Sequence, residues 1–419
     1  VSIDYRGDTL HVEKLCCEYL AEAHGTPCYV YSRAAISSAL HSYLDALAGC
    51  DHLLCYAVKA NSNLAILQLL AAQGAGFDIV SVGELERVLA AGGDPAKVVF
   101  SGVVKQRAEM RRALEAGIRC FNLESAPELD ALQAVASEMG VRAPVSVRVN
   151  PDVDANTHPY ISTGLKENKF GVDRDTAMSL LRRASALPNI QLLGLDCHIG
   201  SQLLDTAPLL ESMSALLAMV DSLAAEGIRI RHLDIGGGIG VRYGSENPPA
   251  VADYIAALRG MIKDREITLV LEPGRSIVAN AGLLLTRVHY LKDTPAHHFA
   301  LVDAAMNDFI RPALYQAWVD IVPVREDTEA PRRRWDVVGP VCETADFLGQ
   351  DRELALHPGA LLAVRGAGAY GFVMSSNYNS RPRPPELLVD GESCHLIRER
   401  ETIADLLRGE HLLDADLLD

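Results

Sequence analysis

His52-Leu53-Leu54-Cys55-Tyr56-Ala57-Val58-Lys59-Ala60-Asn61 is the stretch on which the fold of this 419-residue chain turns. The run from His52 to Val58 is apolar enough to read as a strand buried on both faces, and a lysine stands where it ends. An ammonium at the end of a core strand is costly unless it has a partner or a task. Partial burial lowers an amine's pKa and frees a lone pair, the property that Schiff-base lysines use. Snorkelling to water is the bland alternative, so the surroundings must decide.

Outward from this stretch the same texture repeats. Strands read at His52–Val58, Gly76–Ser81, Val98–Gly102, Cys120–Leu123, Val145–Asn150, Leu192–His198, Arg231–Ile235 and Thr268–Leu271. Between them, Asn63–Gln73, Gly83–Ala91, Lys105–Ala116, Ala126–Met139, Asp173–Ala186, Ala207–Ala225 and Pro249–Lys263 carry apolar residues at spacings of three and four. Such alternation implies parallel strands covered by helices, and eight units in a row predict a closed (β/α)8 TIM barrel over residues 34–280 rather than an open doubly wound sheet. The segment Pro151–Gly171 is too long for an ordinary βα loop and reads, from its polar and basic residues, as a lid. Beyond about Ala279, strand-like runs (Leu283–Leu291, Phe299–Asp303, Trp335–Val338, Leu361–Val364, Leu387–Val389) are separated by Pro, Gly and Asp without helical alternation. Residues 281–419 therefore read as an antiparallel β domain, a sandwich or barrel. Residues 1–33, with strand-like Thr9–Val12 and Pro27–Tyr31, complete its sheet; Thr402–Asp419 reads as an acidic helix and tail.

A formal charge of −16 argues against sequence-independent binding to nucleic acid or anionic lipid, which need basic surface, while leaving room for a local basic pocket for a phosphate or carboxylate. No stretch approaches the length of a membrane-spanning helix, and the beginning lacks a secretory pattern. Nine cysteines with no CxxC spacing read as reduced thiols, which points to the cytoplasm. The adjacent pairs Cys16-Cys17 and His297-His298 do not read as a metal site.

In a parallel barrel the chemistry sits at the carboxyl ends of the strands. Those ends carry Lys59, Asp78, Glu124, Asn150, His198 with Ser201, the loop Gly236-Gly237-Gly238-Ile239-Gly240, and Glu272-Pro273-Gly274-Arg275. The glycine loop exposes backbone N–H groups at close range, as an anion nest requires, although a plain tight turn would look alike. It departs from a dinucleotide fingerprint, because Val241 stands where a third glycine is needed. Arg275 and the Ser201 hydroxyl suit the same anion. Glu272 is placed to meet a ring N–H⁺, and His198 to stack on a ring, unless it is simply a core-edge histidine. A reactive lysine, a phosphate nest, a stacking ring and a carboxylate for a pyridinium together describe a site for pyridoxal 5'-phosphate.

With these residues in view, Tyr56–Asn61, Cys197–Gln202, Asp234–Gly238 and Glu272–Arg275 resemble the barrel motifs of the alanine racemase-like, fold type III pyridoxal-phosphate decarboxylases. Tyr160–Gly171, Asn307–Tyr315, Gly339–Glu343, Gly368–Tyr370 and Asn377–Pro382 are similar to the diaminopimelate decarboxylase branch in particular, and the match spans nearly the whole chain in order. The resemblance implies a barrel with a β domain and a head-to-tail homodimer whose active sites lie at the subunit interface. It implies decarboxylation of meso-2,6-diaminoheptanedioate to L-lysine and CO2. Carried over by position, Lys59 resembles the Schiff-base lysine, His198 the stacking ring, and Glu272 the partner of the pyridinium nitrogen. Ser201, Gly237, Gly238, Gly274 and Arg275 resemble the phosphate cradle, with Tyr370 adding a hydroxyl; Asp78 belongs with the cofactor-binding set. Arg275, Arg311 and Tyr315 look like the clamp on the substrate's distal carboxylate, Glu343 like the acceptor of its distal amine, and Cys342 like the proton donor. One departure is Ala305 in Val302–Met306, where glycine is expected; only a positive φ would make the methyl matter. The rivals are a decarboxylase of ornithine, arginine or carboxynorspermidine, whose substrates lack the distal amino-acid group, a racemase of the same fold, and a non-catalytic regulatory paralogue.

Overall fold

A computed structural model describes residues 2–153, 169–326 and 331–418. The chain divides into two compact units, Ala35–Asn280 and Val1–Ala34 with Ala281–Asp419. Strands β1 (Ile3–Arg6), β2 (Thr9–Val12), β3 (Leu15–Cys16) and β4 (Cys28–Ser32) open the chain and belong to the second unit.

The first unit is a closed barrel of eight parallel strands: β5 (His52–Ala57), β6 (Gly76–Ile79), β7 (Val98–Phe100), β8 (Cys120–Leu123), β9 (Ala143–Arg148), β10 (Ile190–Asp196), β11 (His232–Asp234) and β12 (Thr268–Leu271). Each pairs with the next, and β12 returns to β5. Helices cover it where local chemistry starts and stops them. Ser81, Ser125 and Asp173 cap Val82–Ala90, Ala126–Met139 and Arg174–Ala186 by accepting first-turn N–H bonds at 3.2, 3.3 and 3.0 Å. Inside the barrel, Cys55, Val99, Cys120 and Val270 form an apolar layer. One side-chain repeat further along the strands come Ala57, Ser101, Asn122 and Glu272, so the interior turns polar as it approaches the carboxyl rim.

Several strands end earlier than the sequence predicts. Val58–Ala60 is a turn of 3₁₀ helix, so Lys59 sits on a turn after β5 instead of at the strand's last position. The apolar residues there continue past the barrel ladder because the turn itself is buried. The helix Ala207–Ala225, with 19 residues and mean hydropathy 1.3, is long and apolar enough to cross a membrane, which corrects the expectation that no stretch is. Its buried residues include Leu209, Met213, Leu216, Val220 and Leu223, the spacing of a helix laid on a barrel. Residues 154–168, which hold most of the Pro151–Gly171 insertion and the lid expected there, lie outside the described residues.

The second unit contains β13 (Gly282–Asp293), β14 (His298–Val302), β15 (Ile321–Pro323), β16 (Arg332–Val338), β17 (Phe347–Ala355), β18 (Leu361–Arg365), β19 (Glu386–Asp390) and β20 (Ser393–Arg398). Its main sheet runs β17-β16-β14-β13-β4-β19-β20, with β18 paired to β13 and β15 paired to β18. The sheet is mixed: β4 runs parallel to β19, and β14 parallel to β16. The N-terminal strand β4 does complete it, with Val30 opposite Leu283 and beside Leu387. Thr9–Val12 instead pairs within a separate three-stranded sheet. Leu10, Val12, Leu20, Val30, Leu283, Leu285, Leu387 and Val389 pack into one core.

Candidate active site

The barrel unit gathers the rim residues around three contacts. The Lys59 ammonium lies 2.5 Å from Asp78 Oδ2; Asp78 is fully buried, while the lysine side chain is 38% exposed. The amine is thus held by a buried charge yet open to a ligand. Asp78 Oδ1 has no hydrogen-bond partner in the described structure. Second, the loops after β10 and β11 are zipped together. Leu203 N–H donates to Gly238 O at 2.8 Å, and Gln202 bonds both the N–H and the carbonyl of Val241 at 3.0 and 2.7 Å. Gly238 has φ +117° and a Cβ there would stand 2.7 Å from the Gly200 carbonyl, so the close approach of the two loops demands it, while a Cβ at Gly237 would stand 2.3 Å from the carbonyl of Glu272 at the end of β12. Third, Arg275 donates from Nε and Nη2 to Ser201 Oγ at 3.1 and 3.0 Å, and from Nη1 to the Tyr243 hydroxyl at 2.7 Å. A guanidinium, a hydroxyl and the glycine loop therefore converge, with Gly274 seating the turn so tightly that a Cβ would meet that of Ala57 at 2.9 Å.

His198 is half-buried, and its Nδ1 accepts the Gly237 N–H at 3.3 Å. Burial, with the nearby charges of Arg148 and Lys59, holds its pKa well below the usual imidazole value, so it presents a neutral flat ring. Glu272 is 7% exposed, and Ser101 Oγ and Asn122 Nδ2 donate to its Oε1 only at the long distance of 3.5 Å each. Burial, then the charges of Asp234, Asp78 and Asp196, push its pKa well up. Such a carboxyl gains from a cationic ring N–H more than from any group now beside it. The lysine, the anion cradle, the neutral ring and the under-satisfied carboxyl fit pyridoxal phosphate.

The second unit holds the remaining predicted residues and brings three distant segments together. Asp346 accepts the Met306 and Val341 N–H groups, each at 2.7 Å, stapling Ala305–Arg311 to Gly339–Glu343. Asn379 Oδ1 accepts the Cys342 N–H at 2.7 Å, and the Tyr378 hydroxyl donates to Glu343. Cys342 and Glu343 are exposed, Tyr315 is half-buried, and Arg311 is 6% exposed, its guanidinium 5.9 Å from the Phe309 ring. Tyr370 adopts φ +55°, a left-handed conformation that a bulky side chain holds only under constraint. Ala305 has no positive φ, so the methyl that replaces the expected glycine is unstrained. Sequence reasoning missed Tyr243, Asp346, Tyr378 and Asn379. Tyr243 lies just beyond the glycine loop, which is a usable signal, whereas the Asp346 staple spans 40 residues and leaves no local one.

Comparison with known proteins fits this geometry. The pyridoxal-binding domain of the pyridoxal-dependent decarboxylases matches residues 33–279. Diaminopimelate decarboxylase of Pseudomonas aeruginosa is 63% identical over 412 residues, 98% of this chain and 99% of that protein. The chain belongs to the diaminopimelate decarboxylase family. Among solved members, the Helicobacter pylori enzyme in complex with L-lysine superposes with TM-score 0.90 at 44% identity, covering 93% of this chain and 98% of that one. The m. jannaschii diaminopimelate decarboxylase in co-complex with L-lysine gives TM-score 0.93 at 39% identity and 98% coverage of both chains. As a member of this decarboxylase family the protein is a pyridoxal phosphate-dependent enzyme with the barrel and β-domain fold expected from its sequence.

Proposed function

We infer that the protein converts meso-2,6-diaminoheptanedioate to L-lysine and CO2, the closing step of lysine synthesis. The observation that carries this reading is identity to curated diaminopimelate decarboxylases along essentially the entire chain, 63% in the Pseudomonas aeruginosa protein. Bound pyridoxal phosphate supplies a sink for the electron pair left when CO2 departs.

The chain's own residues supply the rest. Lys59 anchors the cofactor by its amine, and Asp78 receives the ammonium whenever that amine is released. Ser201, Gly237, Gly238 and Arg275 with the Gly274 turn grip the phosphate, Tyr370 adding a hydroxyl. His198 stacks on the ring as a neutral partner, and Glu272 holds the ring N–H. Arg311 and Tyr315, with Arg275, orient the substrate by its distal carboxylate, and Glu343 accepts the distal ammonium. Cys342 Sγ–H gives its proton to the carbon that has lost CO2, and the thiolate so formed is reprotonated before the next turnover. The exposure of Cys342 and Glu343 suits side chains offered to a second copy, which supports a homodimer with shared sites. Nine free thiols suit a cytoplasmic enzyme.

The test is CO2 release from a panel of diamino acids by the pyridoxal phosphate-loaded protein. Turnover of meso-2,6-diaminoheptanedioate, with ornithine and arginine inert, is expected. Comparable release from ornithine or arginine would overturn the substrate assignment. Loss of the borohydride-sensitive absorbance in Lys59→Ala checks the anchor; absorbance unchanged in that variant sinks it.

A further inference from the structure

Five carboxyl groups share the polar end of the barrel interior with two cations. Asp78, Glu124, Asp196, Asp234 and Glu272 are each at most 7% exposed. Lys59 is taken by Asp78 at 2.5 Å, and Arg148 divides itself between Glu124 at 3.4 Å and Asp196 at 3.9 Å. Among the described residues, no cation stands within 4.0 Å of Asp234 or Glu272. Yet oxygens of Asp196, Asp234 and Glu272 all lie within 4.8 Å of one another. Asp234 Oδ1 accepts the Gly236 N–H at 2.9 Å, but its buried Oδ2 has no donor.

Two carboxylates this close in a dry interior do not both stay ionised without a cation. A proton on one would also furnish the donor that Asp234 Oδ2 lacks. Burial lifts both carboxyls above their ordinary range. At Glu272 the charges of Asp234, Asp78 and Asp196 add to it while Lys59 opposes; at Asp234 the Gly236 N–H opposes and Asp78 adds. The thiols of Cys55 and Cys120 also face this layer, and burial keeps them neutral. On the pyridoxal phosphate reading above, the proton has a destination.

We propose that Asp234 and Glu272 hold one proton between them in the cofactor-free protein, and that Glu272 passes it to the ring nitrogen as the cofactor enters. The carboxyl O–H bond breaks, the ring N–H bond forms, and both carboxylates end ionised beside one cationic ring. The net charge of pair plus ring is unchanged, so the barrel interior takes no proton from solvent for the ring. Asp234 never touches the cofactor; it is a positioning residue that keeps the proton on Glu272 until the ring replaces it.

Calorimetric titration of the cofactor-free protein with pyridoxal phosphate, in buffers of different ionisation enthalpy and above the ring nitrogen's own pKa, counts protons exchanged per site. Attachment at Lys59 and phosphate binding contribute equally in native protein and Asp234→Asn, whose amide oxygen still accepts from Gly236. Asp234→Asn removes the strongest of the charges that oppose ionisation of Glu272 and offers it an amide N–H instead, so Glu272 starts ionised despite Asp78 and Asp196 and the variant should take up close to one more proton per site. Equal counts would overturn the proposal. Infrared difference spectra add a second readout: one protonated-carboxyl carbonyl stretch should be lost from the native protein as cofactor enters and be missing from cofactor-free Asp234→Asn, while those of other buried carboxyls such as Asp308 cancel. No such band, as a metal ion in the carboxylate trio would also produce, refutes the shared proton. Borohydride-fixed absorbance in the same samples reports loading. Failure to load counts against the cofactor reading, while the band in cofactor-free protein still decides the proton.

Discussion

Arg275→Lys keeps a positive charge at the rim while removing the planar fork. In the structure three guanidinium nitrogens are committed, two to Ser201 Oγ at 3.1 and 3.0 Å and one to Tyr243 OH at 2.7 Å, in a side chain 8% exposed. A compact ammonium satisfies one of those oxygens at a time. Two hydrogen bonds from a charged donor are lost at about 1.5–3 kcal/mol each, and water or the remaining contact recovers part. A net loss of about 2–4 kcal/mol in anion affinity follows, roughly 30- to 1000-fold in Kd. Two titrations read it: pyridoxal phosphate into cofactor-free protein by absorbance, and L-lysine into the loaded protein by calorimetry. The partition between them tells whether the guanidinium serves chiefly the phosphate or the substrate's carboxylate. Both constants within threefold of native, in a variant that unfolds normally, would refute the assignment of Arg275 to anion binding.

Arg311→Ala should weaken productive use of meso-2,6-diaminoheptanedioate by about 2–5 kcal/mol while leaving cofactor affinity unchanged, as expected for a broken buried charge pair; native kinetics would remove the distal clamp. Glu124 accepts the Gly102 and Gly171 N–H groups at 2.7 and 2.9 Å and meets Arg148 at 3.4 Å. Glu124→Gln leaves one N–H without an acceptor and should cost about 1–3 kcal/mol in urea unfolding; a variant indistinguishable from native contradicts this anchoring. Burial raises the Asp308 carboxyl to about 7. Because the folded state binds the proton more tightly than the unfolded, this group's contribution is fully present below about pH 4 and declines as pH rises to 7, by up to about 4 kcal/mol. Asp308→Asn should flatten the native protein's pH–stability profile over that window, and parallel profiles would discard the burial account.

The barrel is legible because its signal is local: each apolar run and each three-four helix pattern can be read within a dozen residues. Its polar layer is not. Asp196 and Asp234 end β10 and β11 among apolar neighbours, and only closure of the barrel brings them to Glu272. Lys59, Ser201 and Arg275 stand out as strand-end residues, whereas Tyr243 is flagged only by its place just beyond the glycine loop, and its role comes from the direction of the Arg275 fork. In the second unit, β17 escapes notice because Gly349, Gln350 and Asp351 interrupt its alternation, and β20 because half of its residues are polar and none is fully buried. The parallel pairings of β4 and β16 depend on partners hundreds or tens of residues away. Cys342 and Glu343 were located by family resemblance, since the loop around them has no periodicity and its geometry depends on Asp346 and Asn379.

The position of β4 has a consequence for how the protein is made. This strand lies between β13 and β19, so both its edges are satisfied by chain synthesised much later. At about 5–20 residues per second, the roughly 250 residues between Ser32 and Gly282 take about 12–50 s to emerge. Throughout that interval a fully buried-to-be Cys28-Tyr29-Val30-Tyr31-Ser32 has neither neighbour. The barrel, whose contacts are contiguous in sequence, is free to fold meanwhile, and the main sheet of the β unit closes around its oldest strand only when the last sheet partners have left the ribosome.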